Sequence, residues 1–120
     1  MTPQQLAQFN AELRHFTGSD TVYRHNFSRG TYTEGVRHVA SELGAYWLLD
    51  AIFSVQFTPQ VLGQKFQVWK LKVQDNSATL TLEDGNDNEV FKQEISYTDF
   101  PLEEITFWLT NNVLLLPSEY

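Results

Sequence analysis

The sequence predicts an α+β fold, with helices first and an antiparallel sheet second. Three observations carry that prediction. Apolar residues recur at helical spacing as far as about residue 57, then alternate singly from about residue 65. Gly, Pro, Asn and Asp gather between the periodic segments, where chain reversals need them. The 120 residues, 42% of them hydrophobic, suffice for one domain over 1–120 with a real core. Helices followed by strands pack as N-terminal helices on one face of a sheet.

The first helix is expected over about 3–16. Thr2 can cap it, Pro3 suits its first position, and Gln5 completes a capping box. Leu6, Phe9, Leu13 and Phe16 form its apolar stripe, and Gly18-Ser19-Asp20 should stop it. Thr21–Phe27 and Thr31-Tyr32 favour extended structure around Ser28-Arg29-Gly30, as a small hairpin or an ordered arm. A second helix, about 34–43, starts from Thr33 and stops at Gly44, with Val36, Val39, Ala40 and Leu43 facing inward. A third, about 45–57, is apolar nearly all round, as a central helix would be. Thr58-Pro59 opens a turn with room for one more helical turn before Gly63.

Four to five strands then follow as a meander, at about 65–74, 78–83, 89–97, 104–110 and 113–116. Trp69, Leu71 and Val73 alternate with Val68, Lys70 and Lys72; Leu80 and Leu82 alternate with Thr79, Thr81 and Glu83; Ile105, Phe107 and Leu109 alternate with Thr106, Trp108 and Thr110. Asp75-Asn76 and Asn111-Asn112 suit tight hairpin turns, because Asn tolerates positive φ. Leu114-Leu115-Leu116 cannot all face one side of a strand. Either that strand is buried on both faces, or its second face meets a partner, which suggests a homodimer through the C-terminal strand edge with help from Trp108.

Bulk chemistry narrows the function classes. A net charge of -7 repels phosphate backbones, so direct nucleic-acid binding is not expected; it suits solubility or a basic protein partner. With no cysteine there are no disulfides, zinc thiolates, iron–sulfur clusters or thiol nucleophiles. There is no basic-then-apolar leader, and the longest apolar run is short and carries Asp50, so the reading is a cytoplasmic protein without a membrane span. Aromatics at 14% supply a core of large rings, or a core plus a contact surface.

Asp50 is the one carboxylate in the run Ala45–Phe57. A buried carboxylate is costly unless it finds a cation. Arg24 and His25 are the nearest upstream suppliers, with Arg37 and His38 beyond. The expected polar cluster is Tyr23, Arg24, His25, Tyr32, His38, Tyr46 and Asp50. It would be either a structural network or the pocket of a small enzyme or ligand-binding protein. Metal readings are weaker. Glu34, His38 and Glu42 share a helical stripe but lack the His-Glu-x-x-His pattern. His15, His25 and His38 have no spacing that makes them converge, and Asp84–Glu89 lacks the ligand order of a calcium loop. No cofactor motif or catalytic residue can be assigned.

Tyr23-Arg24-His25, Tyr32-Thr33-Glu34-Gly35-Val36, Gly44-Ala45-Tyr46-Trp47-Leu48-Leu49-Asp50 and Leu114-Leu115-Leu116-Pro117-Ser118-Glu119-Tyr120 together resemble an uncharacterised family of small bacterial, phage- and plasmid-associated proteins, catalogued as a domain of unknown function. The resemblance covers most of the chain and implies no activity, cofactor or site residue. It implies an accessory role on a mobile element. The expectation is therefore a non-enzymatic module that binds protein, with the small enzyme or ligand-binding protein as the alternative.

Overall fold

Thr2 opens the first helix as its capping pattern requires. Its hydroxyl accepts the Gln5 amide at 3.1 Å, and its own amide donates to Gln5 Oε1 at 2.8 Å. The computed structural model describes residues 1–18 and 21–120. Helix α1 runs Pro3–Leu13, shorter than expected. Beyond Leu13 the bonds tighten to three-residue steps, from His15 to Glu12 and from Phe16 to Leu13, so Phe16 keeps its inward place without being helical. The stop expected at Gly18-Ser19-Asp20 falls partly on Ser19 and Asp20, which lie outside the described residues.

Strands β1 (Val22–Arg24) and β2 (Thr31–Thr33) pair antiparallel. Helix α2 (Glu34–Glu42) starts where the Thr33 hydroxyl accepts the Val36 amide at 3.4 Å, and Gly44 (φ 61°) turns the chain out of it. Helices α3 (Tyr46–Ser54) and α4 (Pro59–Leu62) follow, the latter being the single extra turn expected before Gly63. The remaining strands are β3 (Phe66–Gln74), β4 (Ser77–Glu83), β5 (Glu89–Ile95), β6 (Glu104–Thr110) and β7 (Val113–Leu115), with a 3-10 turn at Pro117–Glu119. Asp75-Asn76 and Asn111-Asn112 carry positive φ at both central positions of their hairpins, the geometry that matches strand twist.

The α+β class holds, but the sheet is larger than a four- to five-stranded antiparallel meander. It has seven strands in the order β1-β2-β7-β6-β3-β4-β5. It is mixed, because β2 runs parallel to β7 through Thr31↔Val113 and Tyr32↔Leu114. Strands β3, β4 and β5 run as a meander, and β6 returns to lie beside β3 instead of β5. Of the two forms expected for Thr21–Phe27 and Thr31-Tyr32, a small hairpin or an ordered arm, the structure has the hairpin, and it is part of the sheet. This also settles the triple leucine. Strand β7 is paired on both sides, and Leu114, Leu115 and Leu116 are all buried within the chain. The homodimer expected through the C-terminal strand edge has no free edge there, because β2 occupies it.

Alternation then builds the core. Trp69, Leu71, Leu80, Leu82, Phe107, Leu109 and Leu114 point to the helix side, where they meet Phe9, Val36, Val39, Leu48, Leu49 and Ile52. The Gln67 amide is enclosed beside them. Gln67 exchanges amide bonds with Gln56 at 2.9 and 3.0 Å, and its Oε1 accepts the Trp69 indole N–H at 2.8 Å. Among the described residues no helix is long and apolar enough to cross a membrane.

Candidate functional site

The site lies where the β1–β2 hairpin turn meets the end of α3. The hairpin ladder continues one step past β1, with the His25 amide donating to the Gly30 carbonyl at 2.9 Å. Gly30 is required there: a Cβ on it would fall inside the Phe53 ring. The turn thus sits directly on α3, and His25 is drawn between the rings of Phe27 and Phe53, with centroids at 4.4 and 4.6 Å.

In that position the imidazole links two partners. Its Nε2 lies 2.7 Å from Asp50 Oδ1, and its Nδ1 lies 2.9 Å from Ser28 Oγ. With Asp50 ionised, Nε2 carries the proton and Nδ1 accepts the serine hydroxyl; Ser28 Oγ in turn accepts the Gly30 amide at 3.1 Å. Serine, histidine and aspartate in line are the groups of a nucleophilic relay. Here, however, Ser28 and His25 belong to one tight turn and the hydroxyl is bonded on both sides. The relay closes the turn on itself and ties it to α3.

The pairing of Asp50 with the upstream segment is as expected, but the burial is reversed. The imidazole side chain is the enclosed member, at 4% exposure, and the carboxylate is 49% exposed. The reason lies in helical spacing. Tyr46, Asp50 and Ser54 stand four apart and form the solvent stripe of α3, so the helix is not apolar all round. Arg24 does not join Asp50. It is exposed and forms no ion pair with any described residue.

The other expected residues divide into two groups. Tyr23 and Tyr32 are cross-strand partners with rings stacked at 5.8 Å, and Arg37 lies 4.5 Å over the Tyr23 ring with its guanidinium donating to the Tyr23 hydroxyl at 3.2 Å. Tyr46 stands near enough to matter: burial first, then the Tyr46 hydroxyl, pushes the Tyr32 phenol above its ordinary value. His38 lies apart. It stacks on Phe9 at 5.3 Å, touches Phe16, and bonds Glu12 at 3.0 Å, so it fastens α1 to α2. A shallow cavity of about 300 Å³ lies between it and Tyr23. Among the described residues no three His, Asp or Glu side chains are placed to hold a metal ion, and His15, His25 and His38 do not converge.

Sequence reasoning missed the larger feature beside the relay. An open cleft of about 830 Å³ lies against the hairpin turn, lined by Phe27, Phe53 and Phe57 with Arg24 and Arg29 among its walls. Phe57 is 82% exposed and Phe27 is 65% exposed. The four-residue spacing of Phe53 and Phe57 was a signal for this wall. Nothing in the sequence placed Phe27 opposite it.

No curated protein matches the sequence significantly. In architecture the chain is similar to a protein of unknown function from Enterococcus faecalis, known from a crystal structure. The TM-score is 0.52 at 18% identity, covering 85% of this chain and 93% of that one, a likeness of fold alone. A sequence profile matches residues 7–120, a span that holds the relay, the tyrosine group and the cleft, and on that match the chain belongs to the family of unknown function DUF6876.

Proposed function

We propose that the chain is a cytoplasmic, non-enzymatic accessory module that binds another protein through the cleft at the β1–β2 turn. The observation that carries this reading is the pair of exposed phenylalanines, Phe27 and Phe57, flanking a floor made by Phe53. Large rings left in water at the rim of a cleft are a typical anchor site for a partner side chain. The relay beneath them supports docking, because it ties the turn to α3 and so lowers the entropy cost of binding there. Among the described residues no buried side-chain nitrogen or oxygen lacks a bonding partner, so no enclosed polar group waits for a substrate.

The test is affinity capture from lysate of the cells that encode the chain, with the wild type and a Phe27→Ser/Phe57→Ser double variant run in parallel. Both rings are largely exposed, so the variant should keep its circular dichroism, with a small fall in melting temperature from the lost Phe27–His25 contact. A partner protein retained by the wild type and lost by the variant is the expected result. Identical recovery by both, or recovery of nothing by the wild type, overturns the reading.

A further inference from the structure

We propose that the occupant of this cleft is an acidic peptide segment carrying one large apolar side chain; this rests on the docking reading above. The argument is charge complementarity. The chain has 15 Asp and Glu against 8 Lys and Arg. The cleft reverses that balance: its lining includes Arg24 and Arg29 and no Asp or Glu at all. Neither arginine forms an ion pair with a described residue, so both guanidinium groups are available to a partner. The nearby Asp50 is already bonded to His25.

The net charge of -7 does not cancel this local sign. Screening limits exposed charges to on the order of 8 Å at physiological ionic strength, so a bound segment feels the two arginines beside it more than distant carboxylates. The overall field slows the approach of an acidic partner, while the cleft rewards correct seating. That combination selects for a segment whose acids flank an apolar anchor, and against general adhesion to acidic surfaces. Arginine also suits carboxylates by its planar fork of donors. The three phenylalanines supply the apolar socket between the charges.

Fluorescence anisotropy with short labelled peptides tests this on the full chain. The probes are an acidic peptide with a central leucine or phenylalanine, the same peptide with its acids changed to glutamine, the same with lysines, and the acidic peptide with serine at the anchor. The expected result is saturable binding of the first alone, weakened about tenfold or more by Arg24→Glu/Arg29→Glu and progressively by added salt. Equal binding of the glutamine peptide, unchanged by the arginine variant, overturns the acidic class while leaving the docking cleft standing. Acidic-peptide binding that survives Phe27→Ser/Phe57→Ser overturns the cleft itself. Tight binding of a single-stranded oligonucleotide that needs both arginines makes nucleic acid the occupant and overturns the proposal. So does an absence of peptide binding alongside self-association that depends on the two phenylalanines.

Discussion

Glu119 reaches back to Gly35, its Oε2 accepting the Gly35 amide at 3.1 Å. The fit is close: a Cβ on Gly35 would stand 2.6 Å from Glu119 Oε1. The same carboxylate accepts the Thr33 hydroxyl at 2.6 Å and the Leu116 amide at 2.9 Å. An anion placed at the start of α2 also meets the positive end of the helix dipole. Two of the sequence blocks that mark the family resemblance, Tyr32–Val36 and Leu114–Tyr120, are therefore one structural unit. The other two, Tyr23–His25 and Gly44–Asp50, are joined by His25 and Asp50.

Removing the carboxylate should cost more than one ordinary hydrogen bond, because three donors lose their acceptor together. Glu119→Ala is expected to destabilise the chain by about 1–3 kcal/mol, read as a lower urea midpoint at unchanged slope. Glu119→Gln keeps an acceptor oxygen and should lose less. A midpoint unmoved by the alanine change would show that the contact contributes nothing to stability.

The long periodic segments were legible from the sequence, and the short ones were not. Strands β3, β4 and β6 have seven to nine residues each, long enough for alternation to declare the inner face. Strands β1, β2 and β7 have three each, too few for a pattern. The parallel pairing of Thr31 with Val113 joins distant parts of the chain, and no local signal encodes it. In the site, Asp50 was expected to be buried and therefore paired; it pairs with His25 but stays half exposed. Which of the two was enclosed depended on the stripe Tyr46–Asp50–Ser54, a four-residue spacing visible in the sequence but outweighed by the surrounding apolar residues. The cleft was illegible because it forms only when a turn tip, Phe27, arrives beside the end of α3.

Gly30 offers a sharper test of how the turn is seated. A Cβ there overlaps the Phe53 ring, which is itself enclosed in the core and cannot swing aside as a surface chain could. Overpacking of this kind typically costs about 1–3 kcal/mol. Gly30→Ala should lower the thermal midpoint and broaden the NMR signals of the Phe27–Ser28 turn. The same change combined with Phe53→Leu should recover part of the loss, since the smaller side chain makes room.

The His25–Asp50 link predicts unequal costs for its two members. Asp50 is half exposed, and Asp50→Asn retains an oxygen that can accept from Nε2, so a loss below about 1 kcal/mol is expected. His25 is packed between two phenylalanine rings and also takes the Ser28 hydroxyl. Its truncation in His25→Ala leaves a cavity and an unpaired hydroxyl, with an expected loss of about 2–4 kcal/mol. Chemical denaturation of the two variants decides the matter. Equal losses would mean that the His25–Asp50 hydrogen bond, and not the packed ring, holds the turn to α3.

The buried amide pair makes a fourth stability prediction. Gln67→Leu preserves bulk but removes the acceptor of the Trp69 indole and both bonds to Gln56. An indole N–H left enclosed without a partner costs about 1–3 kcal/mol. The readout is specific, because Trp69 is the enclosed tryptophan: its fluorescence should shift and the unfolding midpoint should fall together. A simultaneous Gln56→Leu change should restore part of the stability by removing the amide oxygen that lost its donor, and a further loss in the double variant would contradict the network as described.

The tyrosine group predicts how the fold responds to alkali. Burial and the neighbouring Tyr46 hydroxyl raise the Tyr32 phenol above its usual 10.0, so the folded chain holds that proton more tightly than the unfolded chain. The sign follows from linkage. The stability this provides is fully present below pH 10, and it is lost as the pH climbs from the unfolded value through the raised folded one. Absorbance near 295 nm, followed during an alkaline titration, should show a late tyrosine step that Tyr32→Phe removes. In Tyr46→Phe the late step should move toward lower pH, because the second-largest cause is gone while burial stays. A titration in which Tyr32→Phe leaves the last step in place would assign that step to another ring and separate Tyr32 from the cluster around Tyr23, Arg37 and Tyr46.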